Sequence, residues 1–278
     1  MAVNTAQIKA LLEPGLYKVD GKYDQIPKQW PKIFKTQRSK LDVDRMARAR
    51  YLGLPALKAE GAQTTFDNSP GHRYTFNART FEVGLGFAIT RRAIEYNQYA
   101  SEFSQNAMNM PDVFAQFKEI MCANILNNAT TYDATVGGDG KALCATDHPY
   151  DLGTWANRPS TDATLNETSL LNAVKAIRTN FVDEAGIRIL ARPDKLVIPV
   201  AYIDTAERLL KTEKRPGTAN NDVNAIRSME GGVTDYIVMD FLTSDTAWFL
   251  TTNIEGLVML EKVKYETSIW TDDSSDNL

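Results

Sequence analysis

The stretch GGDGKALCATDHPYDLGTWANRP, from Gly137 to Pro159, holds one of the chain's two cysteines, one of its two histidines and a glycine cluster ahead of a lysine. These residue types are found in catalytic loops, in phosphate-binding loops and in structural connectors. The three interpretations differ in what they require of the flanking sequence and of the rest of the chain.

A phosphate-binding loop requires GxxxxGK followed by Ser or Thr, between a strand and a helix. Asp133 stands where the first glycine should be, and Ala142 stands in the hydroxyl position. The segment GLGFAI at 84–89 lacks the third glycine of a dinucleotide-binding turn and lies within a predicted strand. We therefore expect no nucleotide or other cofactor.

Cys144 and His148 are four residues apart and suggest a cysteine hydrolase as an alternative function. Such a pair needs spatial contact and a third group that orients the base, which proximity in the sequence does not supply. Pro149 favours an extended conformation at His148. Together with His72 and Cys122, these residues show no metal-ligand spacing, so we expect no metal and no catalytic residues.

The composition is that of an ordinary globular protein of 278 residues, with 43% hydrophobic and 24% charged residues. The 31 basic and 35 acidic residues give a net charge of −4, which argues against tight nucleic-acid binding. Two cysteines form no disulfide framework and indicate a reducing, cytoplasmic origin. The start of the chain has no signal-peptide pattern, and acidic residues interrupt the apolar stretch 236–260, so no membrane partner is expected.

The first forty residues predict an extended arm. Pro14, Pro27 and Pro31 prevent a continuous helix. The aromatic side chains nevertheless need a surface to cover them, and an arm that lies along another surface satisfies both conditions. These aromatic residues are Tyr17, Tyr23, Trp30 and Phe34.

Residues 62–90 predict a long β-hairpin. Apolar residues alternate with small or polar ones in TFEVGLGFAIT, at 80–90. The turn sequence NSPG separates QTTFD from HRYTFNA and places the hairpin tip near residues 69–71. A lone two-stranded ribbon is marginally stable in water, so this one must lie on its own body or on a neighbour. Its aromatic residues are Phe66, Tyr74, Phe76 and Phe81.

The remaining pattern is a mixture of helices and strands. Residues 91–128 predict helix, with Pro111 in the first turn of a new helix. Its expected buried stripe comprises Val113, Phe114, Phe117, Ile120, Met121, Ile125 and Leu126. A second helix follows Asn166 or Thr168 as the cap. Strands are predicted at 195–200, 236–241, 247–252 and 256–270, and a surface loop at 212–232.

The segment DGKALCATDHPYDLGTWAN resembles a recurring stretch in the major capsid proteins of tailed double-stranded DNA phages. The resemblance extends from about Leu12 onward, through the order of arm, hairpin, AITRRAIE and KLVIPVAY. The matching positions within the segment are Asp139, Gly140, Ala142, Leu143, His148, Pro149, Gly153, Thr154 and Asn157.

This resemblance implies an α+β protein with the Hong Kong 97 capsid fold. It assigns an N-terminal arm to 1–50 and an extended loop, the long β-hairpin, to 51–90. A peripheral domain with a long spine helix occupies 91–160, and its return strands occupy 246–278. An axial domain occupies 161–245. In this family the arm and loop reach over neighbouring subunits, and the stretch that contains His148 is a structural connector.

The implied function is that of a structural, non-enzymatic subunit which self-assembles through hexamers and pentamers into an icosahedral shell. The shell encloses double-stranded DNA without binding it tightly, in a virion assembled in the bacterial cytoplasm. Scaffold, portal and decoration proteins are possible partners. The arm begins almost at Met1, which predicts a separate scaffold or none, and the chain stops before a further strand that relatives usually have. A nanocompartment shell that encloses an enzyme shares the fold and stays an alternative. The candidate inter-subunit contacts are Tyr17, Tyr23, Trp30, Phe34, Phe66, Tyr74, Phe76 and Phe81.

Overall fold

The computed structural model describes most of the chain as two compact units. The described residues are 19, 21–49, 52–66, 71–88, 100–183, 185–214, 223–254 and 256–268. The first unit draws its described residues from 1–28, 81–122 and 261–278, and the second from 29–80 and 123–260.

Helices and strands are mixed along the chain, as the sequence predicted. Residues 19 and 21–25, in the predicted extended arm, are helical. The helices of known bounds are α1 (Ala100–Asn127), α2 (Glu167–Asn180), α3 (Ile203–Lys211) and α4 (Ala225–Ser228). The strands are β1 (Lys35–Arg38), β2 (Val43–Ala49), β3 (His72–Arg79), β4 (His148–Tyr150), β5 (Gly153–Trp155), β6 (Pro193–Ile198), β7 (Asp235–Val238), β8 (Phe249–Thr252) and β9 (Val258–Glu261). Short 3-10 turns lie at Trp30–Lys32 and Val200–Tyr202.

A three-stranded sheet with the order β7-β6-β8 forms the centre of the second unit. The central strand β6 runs parallel to β7 and antiparallel to β8. Its residues Leu196, Val197 and Ile198 are at most 1% exposed. Because successive side chains on a strand point to opposite faces, Leu196 and Ile198 pack on one face and Val197 on the other.

Each face of this sheet has its own apolar cluster. The first cluster joins Leu196 and Ile198 to Leu170 and Val174 of α2 and to Leu209 of α3. The second cluster joins Val197, Ile237 and Met239 to Ala123 and Leu126, which lie near the end of α1. A fully buried side chain of this size contributes about 1.5–3 kcal/mol of hydrophobic stabilisation, so β6 stabilises both layers at once.

Helix α2 begins at a reciprocal capping box. The Asn166 side-chain oxygen accepts a hydrogen bond from the Ser169 backbone N–H at 2.8 Å, and the Ser169 hydroxyl accepts one from the Asn166 N–H at 2.9 Å. These bonds satisfy two donors that the first turn leaves without intrahelical partners. Of the two caps that the sequence offered, Asn166 is the one used.

Helix α1 is continuous for 28 residues and passes through Pro111, so the prediction of a new helix at this proline was wrong. Its buried side chains include Pro111, Ala115, Cys122 and Leu126. Most of the predicted buried stripe is exposed instead, namely Val113, Phe117, Ile120 and Ile125. Within the described part of the chain, no helix has both the length and the apolar character needed to cross a bilayer.

Three segments that are distant in sequence form the first unit. Lys22 binds α1 through the Met108 carbonyl at 2.7 Å and the Asp112 carboxylate at 2.5 Å. Tyr23 stacks on Tyr265 with ring centroids 4.7 Å apart. On α1, the Lys118 ammonium pairs with the Glu261 carboxylate at 2.8 Å. These contacts tie residues 19–28 and 261–268 to the helix.

The predicted hairpin is formed with a different partner strand. Strand β3, within the expected second arm, pairs antiparallel with β2 rather than with 62–66. Residues 52–66 and 81–88 carry no strand assignment, and the predicted tip at 69–70 lies outside the described residues. The strand predicted from the alternation at 80–90 was wrong for 80–88, and 89–90 lie outside the described residues. Alternation also does not identify a strand's hydrogen-bonding partner.

The other predicted strands are confirmed at β6, β7 and β8. Within 256–268 only β9 is strand, and 269–270 lie outside the described residues. In the predicted loop 212–232, the structure shows the short helix α4 and a bridge between Lys214 and Val223, while 215–222 are not described.

The capping box yields a stability prediction with an internal control. Replacing Asn166 by Ala leaves a Ser169 N–H without its acceptor and should lower the free energy of unfolding by about 1 kcal/mol. Replacing the exposed Thr168 by Ala should change it by less than about 0.5 kcal/mol. Urea titration of both variants in the same assembly state measures the difference, and equal values would contradict the assignment of the cap.

Candidate functional site

The stretch Gly137–Pro159 begins with a close backbone contact against β3. The Asn77 N–H donates to the Val136 carbonyl at 2.9 Å, and the Gly138 N–H donates to the Thr75 carbonyl at 3.1 Å. Gly137 has a φ of +83°, and a Cβ placed on it would lie 2.8 Å from the Thr75 oxygen. Only glycine fits both the left-handed backbone and this approach. The glycine cluster therefore attaches this stretch to the ribbon formed by β2 and β3.

His148 is the centre of a buried polar and aromatic cluster. It is 7% exposed, and its Nδ1 lies 2.6 Å from the Asp139 carboxylate. Its ring stacks on Trp155 at 5.0 Å between centroids, and Trp155 meets the edge of Phe181 at 4.9 Å. The antiparallel pair β4–β5 places His148 directly opposite Trp155. This arrangement fixes the imidazole ring between two short strands and supports a structural role.

Asn157 closes the same stretch through its side-chain amide. Its NH₂ group donates to the Leu143 carbonyl at 2.7 Å, and its oxygen accepts from the Ala145 N–H at 2.8 Å. The Cys144 N–H donates to the Ala129 carbonyl at 2.7 Å, which attaches this stretch to the chain just after α1. Because an amide both donates and accepts, Asn157 bonds the loop backbone as a neighbouring strand would.

The geometry does not form a cysteine–histidine pair. One ring nitrogen of His148 contacts Asp139, and the other, Nε2, is buried without a hydrogen-bond partner among the described residues. Cys144 is half-buried, and burial raises the pKa of its thiol. A catalytic thiol needs the opposite shift, because the thiolate is the nucleophile. The arrangement gives no support to the hydrolase hypothesis.

An open cleft of about 280 Å³ lies beside Cys144 and includes Lys141, Asp147 and Arg158 in its lining. Lys141 forms an ion pair with Asp147, and Arg158 forms one with Asp162. Each cation therefore already has a carboxylate partner. No group of three His, Cys, Asp or Glu side chains in the described part of the chain could hold a metal ion.

The predicted contact residues fall into an exposed and a buried set. Phe66 is 86% exposed and Phe81 is 64% exposed, and Phe76 is also exposed. By contrast, Trp30 is 6% exposed and Phe34 is 3% exposed, so their rings are already covered within the chain. The exposed apolar surface also includes Leu52, Leu54, Leu57, Val83 and Leu85.

The other predicted contact residues lie between these extremes. Tyr23 is half-buried, and the Lys28 ammonium lies 3.9 Å from its ring centroid, in addition to the stacking on Tyr265. Tyr74 is half-buried on β3. Tyr17 lies outside the described residues.

Sequence reasoning missed several residues that build this region. It did not identify Gly137 as a glycine that a close backbone contact requires, because the hydropathy pattern carries no information about φ. It also missed Asp139 as the partner of His148 and Asn157 as the loop clamp. The Asp-Gly and Trp-x-Asn pairs at 139–140 and 155–157 are the available signals, since Asp and Asn are the residues that most often bond loop backbone.

The glycine contact predicts unequal effects for two similar substitutions. Gly140 has a φ of +80° but open space around it, so Gly140→Ala should cost only about 1–2 kcal/mol for the left-handed conformation. Gly137→Ala adds the clash with the Thr75 carbonyl and should cost about 1–3 kcal/mol more. Urea unfolding of the two variants measures this difference. Equal losses would show that β3 is not in close contact.

The thiols predict a reactivity order. Burial, reinforced by the Glu119 charge, raises the pKa of Cys122 to about 12, so that only about one thiol in ten thousand is ionised near pH 8. Cys144 should alkylate more slowly than a free cysteine and accelerate as the pH rises, whereas Cys122 should react only on unfolding. Mass spectrometry of iodoacetamide-treated protein distinguishes the two. Rapid labelling of Cys144 near neutral pH would point to an activated thiol.

The fold is similar to that of solved phage capsid chains. The bacteriophage JBD30 capsid chain matches with a TM-score of 0.58 and 12% identity over 78% of this chain and 92% of that one. The procapsid chain of the same phage gives a TM-score of 0.53 and 15% identity over 85% and 98%. The JBD30 capsid decorated with minor capsid protein trimers gives 0.52 and 14%, over 78% and 92%. No curated protein matches the chain.

A family model described as phage capsid protein matches residues 73–277. The match begins at β3 and includes the connector, the central sheet and β9. It covers more than half of the chain, and the solved structures with a similar fold are capsid and procapsid chains. The chain belongs to the phage capsid protein family and is a structural capsid subunit.

Proposed function

We propose that this subunit adopts the Hong Kong 97 arrangement and assembles through hexamers and pentamers into an icosahedral shell around double-stranded DNA. The long helix α1, the separate unit around β6 and the likeness to capsid and procapsid chains support this proposal. The shell forms in the bacterial cytoplasm and remains in the virion. The subunit acts by association and carries out no catalytic turnover.

We give the four parts of that arrangement the ranges that the family resemblance implies. The arm is 1–50, the extended loop 51–90, the peripheral domain 91–160 with 246–278, and the axial domain 161–245. Helices α2, α3 and α4, with β6 and β7, all lie within the axial range. The ribbon takes β2 from the arm range and β3 from the loop range, so arm and loop act as one element at its base.

The exposed apolar side chains at 52–66 and 81–88 carry the proposal. Each of the two segments exposes several large apolar side chains along a short stretch of chain, and exposed apolar surface marks sites of association. Phe66 and Phe81 lie in segments without a strand partner in the described chain, so their backbones are also available to a neighbour. Contacts repeated by symmetry add up, and each of them can be weak.

Trp30 and Phe34 support the same function in another way. Their buried rings hold residues 30–34 against the subunit, next to β1, which pairs with β9. The arm then reaches a neighbour through its other residues, including Tyr17 and Tyr23. Tyr74 and Phe76 on β3 complete the candidate contact surface, with Phe76 the more exposed of the two.

The partners beyond the subunit itself are proposed by analogy. The JBD30 capsid is decorated with minor capsid protein trimers, and an equivalent protein is a candidate partner here. Scaffold and portal proteins are further candidates. The net charge of −4 favours a shell that encloses DNA without binding it tightly. A nanocompartment shell is distinguished by its contents, because particles that hold an enzyme instead of DNA would identify it.

Two substitutions separate the stability of the subunit from its assembly. Phe81→Ser removes an exposed ring, so it should change the unfolding free energy by less than about 0.5 kcal/mol and still abolish particles. Trp30→Ala removes a buried ring and should cost the subunit about 3–5 kcal/mol. Urea unfolding and negative-stain electron microscopy measure the two effects.

Leu190→Ser is the matched control for the assembly effect. Leu190 is 83% exposed and lies outside the loop, so this variant should form normal particles. Normal particles from Phe81→Ser at the yield of the unaltered protein would remove the extended loop from the assembly contacts.

A further inference from the structure

Charge is unevenly distributed along this chain. Residues 29–80 hold ten Lys and Arg against four Asp and Glu, a net charge of +6. The whole chain has a net charge of −4, so all the other residues together carry −10. The positive block coincides with β1, β2, β3 and the segments that connect them.

Five exposed cations of this block make no ion pair or side-chain hydrogen bond within the described residues, namely Lys32, Arg38, Lys40, Arg45 and Arg79. The two nearby acidic residues do not neutralise them. The Asp42 carboxylate accepts from the Thr80 hydroxyl at 3.4 Å, and Asp44 is on β2, opposite Ala78.

The ladder places Arg45 and Arg79 on one face of the ribbon. Arg45 is opposite Asn77, and Val43 is opposite Arg79. Residues directly opposite share a face, and diagonal neighbours two positions along lie about 7–8 Å apart. Asp44 is on the other face, because side chains alternate along a strand. We call this face, with Arg38 and Lys40 ahead of it, the basic ribbon.

The surroundings of these cations favour a protein partner over a nucleic acid. Apolar side chains are exposed close to them, namely Val43 on the same face and Leu41 just before it. A phosphate backbone would neutralise the arginines but would leave these side chains in water. Protein interfaces are enriched in Arg, Met and aromatic residues, and they cover both kinds of group at once. Exposed cations on β2 also disfavour strand addition, so the face rather than the edge is the contact surface.

We propose that the basic ribbon docks on the acidic surface of a second copy of this chain, with the Arg45 and Arg79 guanidinium groups donating hydrogen bonds to its carboxylates. The charge of −10 on the rest of each copy supplies the complementary partner. Planar guanidinium groups bind carboxylates through two parallel hydrogen bonds, which fixes the docking geometry. This inference rests on the proposed shell function and adds a charge-dependent contact to the apolar one made by the loop.

The test compares three full-length proteins for particle formation. The double variant Arg45→Gln/Arg79→Gln removes the two charges, and Lys175→Gln/Arg188→Gln removes two exposed charges outside the block. Light scattering gives the critical concentration, electron microscopy identifies the particles, and urea unfolding checks that each variant folds. We expect the Arg45/Arg79 variant to raise the critical concentration about tenfold in about 0.1 M NaCl. In about 1 M NaCl this difference should shrink, because salt screens the pairs.

The outcomes separate this inference from the function on which it rests. An Arg45/Arg79 variant that assembles like the control overturns the docking, while the shell function stands. A variant that assembles normally but loses affinity for double-stranded DNA also overturns it and assigns the surface to nucleic acid. Unaltered protein that forms no particles overturns the shell function, and the inference with it.

A second measurement keeps the test decisive if the double variant fails to fold. Carbodiimide treatment of particles made from isotope-labelled and unlabelled copies couples lysine amines to adjacent carboxylates without a spacer. We expect a cross-link from Lys40 of one copy to an Asp or Glu of the other, identified by mass spectrometry. Cross-links from Lys40 that stay within one copy would overturn the docking.

Discussion

The strand β6 is the constraint on which the second unit depends, because both of its faces are buried. Leu196 and Ile198 hold α2 and α3 on one side, and Val197 holds Ile237 and the end of α1 on the other. A strand covered on both faces cannot shift by one residue without exchanging its two sets of neighbours. The register of β6 therefore fixes where α1 ends and where the connector after it begins.

The connector that follows α1 positions the ribbon of β2 and β3 relative to the end of that helix. It leaves α1 near Ala129, contacts β3 through Gly137 and returns through His148 and Asn157. These steps are backbone and side-chain hydrogen bonds, together with the stacking of His148 on Trp155. The residues that suggested chemistry in the sequence thus set the distance and direction between the sheet and the ribbon, on whose surface the proposed contacts with neighbouring copies depend.

How much could be predicted from the sequence differs from one element to the next. The strand predicted at 195–200 is found at Pro193–Ile198, and Asn166 is one of the two predicted caps, since an unbroken apolar strand and a helix start are local signals. The partner of β3 was wrong, because β2 carries Arg45 and Arg48 and shows little alternation. The buried face of α1 was wrong because small residues, Ala115 and Cys122, make close contacts that a search for large apolar side chains overlooks. A resemblance to a family identified the function, whereas the close approach at Gly137 depends on tertiary structure.

The first unit has a consequence for the order of events during synthesis. Its contacts join Lys22 to Asp112 and Lys118 to Glu261, so they span 90 and 143 residues. Contacts between such distant residues form late, since the intervening chain must first be ordered or looped out. Glu261 is synthesised after all three strands of the sheet around β6. A nascent chain that has already made this sheet therefore still lacks the Lys118–Glu261 contact of the first unit.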